Sequence, residues 1–279
     1  MESKLVLILI PVHKEVEQLS SLEKMSIQNT LVKFNESHSI GLLRSSRINK
    51  KSYNDYFSFE FLDFEFQFST WLEYNALLKN SSFYKSLNSF TYLLIIQTDA
   101  YVFSNDFSAF YQYDYVGAPW EKDSLKYIQG RVGNGGFSLR NIEKISSLLQ
   151  TNKKMFSFRS LLHLTFKHTY KFGTMQRVKG YKKFGICQIF ALLSKSIFYY
   201  FFRNSFRKAY LMDSLMEDTL YGVLFPYRFI SFKVPPIEVA VTFSIDENPN
   251  YFYQFNGNCL PLGCHAFIKN HDNFWNRFL

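Results

Sequence analysis

From Lys4 the chain runs apolar to Ile10, and a second unbroken run, Leu93-Leu94-Ile95-Ile96, occurs later. Runs this short cannot make helices of their own; they predict strands buried on both faces, as in a parallel sheet. Between Glu17 and about Phe34, Leu19, Leu22, Met25, Leu31 and Val32 recur near helical spacing, and His38 to Leu43 reads as a second short strand. Strand, helix, strand is the opening of a doubly wound nucleotide-binding half. Tyr56 to Phe68 alternates loosely through Phe57, Phe59 and Phe61 and predicts a third strand. Trp71 to Leu87 carries Trp71, Tyr74, Leu77, Leu78 and Tyr84 at mostly helical intervals. A short strand follows Asp99, then a turn or helix over Ser104 to Tyr111. Asn141 to Leu149 reads as a helix with Asn141 as its N-cap, and Met216-Glu217-Asp218 as a helix start. Val239 to Phe243 is a further strand.

Composition adds that the chain folds around a sizeable core. At 279 residues and 47% hydrophobic it is globular, and its 32 Phe and 19 Tyr are an aromatic surplus, part of which fits a surface that meets something apolar. The net charge of +9 is concentrated in one place. Thr151 to Tyr210 holds 13 Lys and Arg and no acid; of the 32 basic residues in the chain, 19 remain elsewhere, against 23 acids. Cys187, Cys259 and Cys264 are an odd set with no CxxC spacing, which argues against a disulfide framework and for a reducing compartment. Cys259, Cys264 and His265 lack the second close pair that structural zinc needs. The apolar run from Leu5 to Val12 is too short for a signal peptide or a membrane span.

Candidate chemistry sits at the strand ends. The run at Leu93 stops at Gln97-Thr98-Asp99, where open α/β sheets bind ligands; the same carboxylate could also simply cap a turn. Val132-Gly133-Asn134-Gly135-Gly136-Phe137-Ser138-Leu139-Arg140 could bring backbone amides close to a phosphate or a sugar ring, or be a plain Asn-Gly turn. Glu217 and Asp218 could be stabilised by a helix dipole or hold a general base. Pro261 to Phe267 presents one histidine, His265, of a kind that is usually structural. No GxGxxG follows the first strand, which removes most of the support for hydride chemistry.

In this order, the acid after the central strand, the glycine-rich loop, the Glu217-Asp218 pair and His265 resemble the four marks of nucleotide-sugar-dependent glycosyltransferases of the GT-A fold. Tyr113-Asp114-Tyr115-Val116-Gly117-Ala118-Pro119-Trp120 and the glycine-rich string resemble, more closely, an uncharacterised bacterial family found with polysaccharide-biosynthesis genes. The resemblance implies a GT-A-like α/β fold, a mostly parallel, Rossmann-type sheet flanked by helices. It implies that Asp99 is the second acid of an Asp-x-Asp motif that binds Mn²⁺ or Mg²⁺ with His265. Gln97 replaces the first acid, which bears on metal dependence. Pro11, Val12 and His13 match the seat of the nucleotide base, and Gln97, Thr98 and Asp99 the donor site. Trp120, Gly133, Asn134, Gly135 and Gly136 match the sugar and acceptor loop. Glu217 and Asp218 would lie beneath the reacting carbon, with Asp218 as the base of an inverting transferase.

Residues 151–210 are not covered by the resemblance. Their 13 cations alternate with 15 Phe and Tyr, and Ile186 to Phe202 is interrupted by Ser194-Lys195-Ser196. That run is short of the roughly 20 residues a bilayer requires, so it predicts a helical insert lying on an anionic membrane surface. Packing on the core is the other structural reading; nucleic-acid binding has no recognised motif behind it. The expected organisation is a nucleotide-sugar-binding half over 1–150, the insert over 151–210 and an acceptor half over 211–279. Together these features imply a peripheral enzyme at the inner face of a bacterial plasma membrane, using a nucleotide-sugar donor and a glycan or lipid-linked acceptor. The rival is a catalytically inactive sugar-nucleotide- or membrane-binding protein of the same fold.

Overall fold

A computed structural model describes residues 6–121, 132–160, 186–268 and 274–279. Its centre is a mixed six-stranded sheet in the order β3-β2-β1-β4-β7-β6, with β1 at Val6–Val12, β2 at Ser39–Arg44, β3 at Leu62–Glu65, β4 at Tyr92–Ile96, β6 at Tyr115–Val116 and β7 at Phe137–Asn141. β1 runs parallel to both β2 and β4, β2 is parallel to β3, and β7 is antiparallel to β4 and β6. The apolar runs are continuous because both faces are covered. Ile8, Ile10, Leu94 and Ile96 face one core with Ile27, Leu31 and Phe34 of α1 (Ser21–Phe34). Leu7, Leu9, Leu93 and Ile95 face the other, which α3 (Trp71–Leu78), α4 (Ser81–Ser86) and α5 (Ile142–Leu149) close. The sequence thus places the two innermost strands and the mixed, mostly parallel sheet with flanking helices as they stand.

Element boundaries follow capping chemistry. α1 begins at Ser21 because Ser20 and Glu23 form a reciprocal capping box, which leaves Val16–Gln18 as a separate single turn. Asn141 caps α5, its side chain accepting from Lys144 N at 3.0 Å. The helix expected over Trp71 to Leu87 is two helices, since Asn80 caps a new one by accepting from Ser82 N.

Two strand expectations do not hold. Lys50–Phe57 is a helix, α2, capped by Asn49 and ended by Ser58 in the left-handed region, so only Leu62–Glu65 of the predicted third strand pairs. The Phe57, Phe59, Phe61 alternation arises from rings packing on one another around that reversal. Val239 to Phe243 is helical, within α9 (Ile237–Phe243), because Pro236 sits at the N-cap and Ala240, Val241 and Phe243 turn into the core.

A second, three-stranded sheet of two-residue strands positions the site. β5 (Tyr101–Val102) runs antiparallel to β9 (Gly263–Cys264), which is parallel to β8 (Ser244–Ile245). In the basic segment, α6 spans Ile186–Phe198, and residues 161–185 of the predicted insert lie outside the described residues. Among the described residues, no helix is long and apolar enough to cross a membrane.

Candidate functional site

Each short strand of the second sheet has one polar residue within two positions of an end. Asp99 precedes β5, Asp246 follows β8 and His265 follows β9. The parallel register of β8 and β9, Ile245 beside Cys264, brings Asp246 and His265 side by side, and Phe267 N bonds Asp99 O at 3.0 Å to bring in the third. His265 Nδ1 lies 2.9 Å from Asp246 Oδ1; its Nε2 lies 3.0 Å from Gln97 Oε1 and 3.2 Å from Asp99 Oδ1. Desolvation works against charge on this ring, but hydrogen bonds to Asp246 and Asp99, and their negative charges, push His265 up to about 9.

Beyond the glycine-rich strand lies a second cluster. Arg140, fully buried on β7, donates to Glu217 Oε1 at 2.8 Å, to the Tyr84 hydroxyl at 3.1 Å and to Ser138 Oγ at 3.0 Å. Glu217 opens α7 (Glu217–Thr219), which continues through the wider turn Leu220–Leu224 into α8 (Phe225–Arg228). α3 holds this corner in place: Asn75 accepts from Glu217 N at 2.8 Å, and buried Lys79 donates to Met212 O and Leu215 O, each at 2.6 Å. Burial pulls the Lys79 ammonium down to about 8 although Glu217 and Asp213 favour its charge. Burial, then the adjacent Glu217 charge, pushes Asp218 up to about 7, against hydrogen bonds from Thr219 and the charge of Arg140. The carboxylates also accept from their own first turn, Glu217 from Asp218 N at 2.7 Å, as expected of acids at a helix start.

The glycines form a thin partition between the clusters. A Cβ on Gly135 would overlap Glu217, one on Gly136 would overlap the His265 ring, and one on Gly133 would overlap the Trp120 ring. Their smallness is required by protein neighbours, and Trp120, itself buried, supports the strand from behind. Asn134 adopts a left-handed φ of 43° and ties the loop to the histidine side, accepting from Gly136 N at 3.0 Å and donating to Asp246 Oδ2 at 2.6 Å.

At the end of β1, Pro11 and Val12 are buried inside the strand, and His13 is the first side chain to leave it. Its ring meets Phe68 and Tyr74 edge-on at 5.4 and 5.3 Å, and desolvation, then Lys14, lowers its pKa. Thr98 is half-buried between Gln97 and Asp99.

Of the residues named from the sequence, the structure gathers Gln97, Asp99, Asn134, Gly136 and His265 around one cluster and Gly135, Glu217 and Asp218 around the other. Asp246, Arg140, Asn75 and Lys79 were not singled out. For Arg140 a signal existed: Ser138 and Arg140 put two polar side chains on one face of a buried strand. For Asp246 the signal was masked, because the strand was expected one segment too early.

A divalent metal that displaced the Nε2 proton of His265 would find Asp99, His265 Nε2 and Gln97 Oε1 converging, with Asp246 fixing the ring from behind as a second ligand shell does. Among the described residues no three His, Cys, Asp or Glu side chains form a group that could hold a metal. The protein's share would be one carboxylate, one imidazole and one amide oxygen, a set that fits Mg²⁺ or Mn²⁺ completed by phosphates and water.

Residues 56–265 match the family described as Protein of unknown function (DUF5672). Among curated proteins none matches the chain. Among solved structures, the apo-form glycosyltransferase GlyE of Streptococcus pneumoniae TIGR4 is 13% identical with a TM-score of 0.44, over 99% of this chain and 57% of that one. A glycosyltransferase involved in the glycosylation of the major capsid of PBCV-1 is 11% identical with a TM-score of 0.39, over 94% of this chain and 93% of that one. A197 from STIV is 14% identical with a TM-score of 0.31, over 51% of this chain and 67% of that one. The chain thus spans little more than half the length of GlyE.

Proposed function

The chain belongs to the DUF5672 family of proteins of unknown function, and from that premise we propose that it transfers a sugar from a nucleotide-sugar donor to a glycan acceptor. One observation carries this: a carboxylate–imidazole cluster beyond β4 and an acid pair at α7, Glu217 buried and Asp218 half-buried, stand on opposite sides of a strand of glycines too thin to separate them. The first cluster suits the diphosphate of a donor and the second the reacting carbon and the acceptor hydroxyl. Asp218 takes the proton of that hydroxyl as its oxygen bonds the anomeric carbon; the bond to the diphosphate breaks and the diphosphate leaves with the electron pair, inverting configuration. Arg140 holds Glu217 in place beside Asp218. Asp99, His265 and Gln97 would hold the metal, which supplies Lewis-acid stabilisation of the leaving group when bound.

A thermal-shift panel of UDP-, GDP-, CMP- and dTDP-sugars, each with Mn²⁺ or with EDTA, tests donor and metal together. A donor at 100 times its dissociation constant adds about 2.7 kcal/mol, which for a chain of this size raises the melting temperature by about 5–10 °C. A shift that EDTA removes supports both parts. A shift indifferent to EDTA leaves the donor and overturns the metal. No shift with any donor overturns the transferase and favours the inactive membrane-binding protein, a reading that Gln97 in place of the first acid supports.

The acceptor we assign is a glycan, lipid-linked at the inner face of a bacterial plasma membrane, in surface-polysaccharide synthesis. The described part of the insert supports the membrane contact. Phe190, Ile197, Phe198, Phe201 and Phe202 are exposed, and Arg203 lies over the Phe198 and Tyr199 rings. Burying those rings at the headgroup boundary, with cations beside anionic lipid, adds apolar and electrostatic terms together. Replacing Phe198, Phe201 and Phe202 by Ser is expected to abolish sedimentation with phosphatidylglycerol vesicles while the donor-induced shift persists. Sedimentation unchanged by the triple substitution would sink the membrane contact.

A further inference from the structure

Buried tyrosine hydroxyls in this protein find partners: Tyr53 with Lys14 O, Tyr84 and Tyr221 with Leu78 O, Tyr92 with Tyr111 O and Tyr115 with Gly133 O. Tyr74 does not. Only 7% exposed, its hydroxyl has no hydrogen-bond partner among the described residues. The Gln97 side chain approaches it as a donor without reaching hydrogen-bond geometry, so the hydroxyl proton is left without an acceptor, and the Tyr74 ring lies edge-on to His13, 5.3 Å between centroids at 90°. The phenol therefore borders both the polar residues beyond β4 and the histidine that leaves β1, and these two strands are parallel neighbours. A hydroxyl removed from water and left unpaired bears its full desolvation penalty, so a buried one without a protein partner beside a ligand site points to a partner supplied by the ligand.

A tyrosine phenol is protonated at neutral pH. It is thus poised to donate. Gln97 Oε1 is already engaged by His265. Whatever bridges from His13 to Gln97 must bring an acceptor oxygen past Tyr74, and hydrogen bonds to ionised acceptors are about twice as strong as neutral ones. We propose that the Tyr74 hydroxyl donates to a phosphate oxygen of a bound nucleoside diphosphate, between a base seated near His13 and the polar residues at Gln97 to Asp99. This rests on the donor reading above and adds to it a specific contact on α3, outside every string that carries the sequence resemblance.

Tyr74→Phe removes the hydroxyl alone. Calorimetric titration of wild type and variant with UDP, GDP, CDP and dTDP in Mn²⁺ is expected to show affinity for the preferred diphosphate weakened about tenfold. The ligand-free variant should melt at the wild-type temperature or above, because no protein hydrogen bond is lost. Affinity unchanged by Tyr74→Phe would overturn the contact and leave the donor reading intact. A ligand-free melting temperature lowered by several degrees would overturn it too, by revealing a partner within the protein. A wild-type protein that binds none of the four diphosphates overturns the donor reading first and this contact with it.

Discussion

Asp218→Asn is expected to lower turnover by about 10²–10⁴-fold, the usual contribution of a positioned general base, while the donor-induced rise in melting temperature persists. The measurement is release of nucleoside diphosphate in the presence of acceptor, with the donor that the thermal panel selects. Asn keeps the shape and can still accept from Thr219, but it cannot take a proton. The pH profile separates this role from a structural one. Burial and Glu217 push Asp218 up to about 7, and a base works only as the carboxylate, so the wild-type rate should rise with pH through about 7 and then level. The variant's residual rate should lack that limb.

Stability should move the other way. A carboxyl raised above its unfolded value binds more protons in the native state than in the unfolded one. Ionising it therefore costs stability, progressively, as pH rises from the ordinary Asp range through about 7. Asn carries no such cost, so Asp218→Asn should melt no lower than wild type at pH 8. A variant with near-normal turnover would exclude Asp218 as the base. One that melts much lower at pH 8 would recast Asp218 as a structural acid whose bonds to Thr219 hold the helix start.

What the sequence makes legible, and what it does not, divides along a physical line. β1 and β4 are readable because both faces are buried, which forces a continuous apolar run. α2 and α9 are not, since Phe57 to Phe61 and Val239 to Phe243 look like strands until Asn49 and Pro236 are recognised as caps. In the site, Asp99, the glycines, Glu217, Asp218 and His265 are visible as local strings. Asp246 becomes visible only through the β8–β9 register, a pairing of two-residue strands too short to leave a periodic signal. Tyr74, Asn75 and Lys79 look like one helix face, because nothing local distinguishes a core aromatic from one whose hydroxyl faces a ligand, or a solvated lysine from one that binds Met212 O and Leu215 O. The glycines teach a related lesson. Their spacing suggests a ligand cradle, whereas their Cβ directions meet Trp120, Glu217 and His265, so the loop is also the packing seam between the two clusters.

Arg140→Met should be the most destabilising single substitution near the site, by about 3–5 kcal/mol, because it strands a buried carboxylate. At 0% exposure the guanidinium neutralises Glu217 at 2.8 Å and lies 5.7 and 5.5 Å from the Tyr115 and Tyr221 ring centres, so water cannot take its place without opening the second core. For a chain of this length the loss corresponds to a fall of about 10 °C in melting temperature. Adding Glu217→Gln to Arg140→Met should restore more than half of it, since a neutral amide needs no counter-ion and the pair is coupled. The recovered double variant would still lack turnover if the fixed charge of Glu217 is what keeps Asp218 titrating near neutrality. Recovery of stability without recovery of turnover would assign the pair to the chemistry; recovery of both would assign it to the fold alone. A single Arg140→Met variant that loses less than about 1 kcal/mol would mean that Glu217 finds water or a proton instead, and that the partition between the clusters is open to solvent.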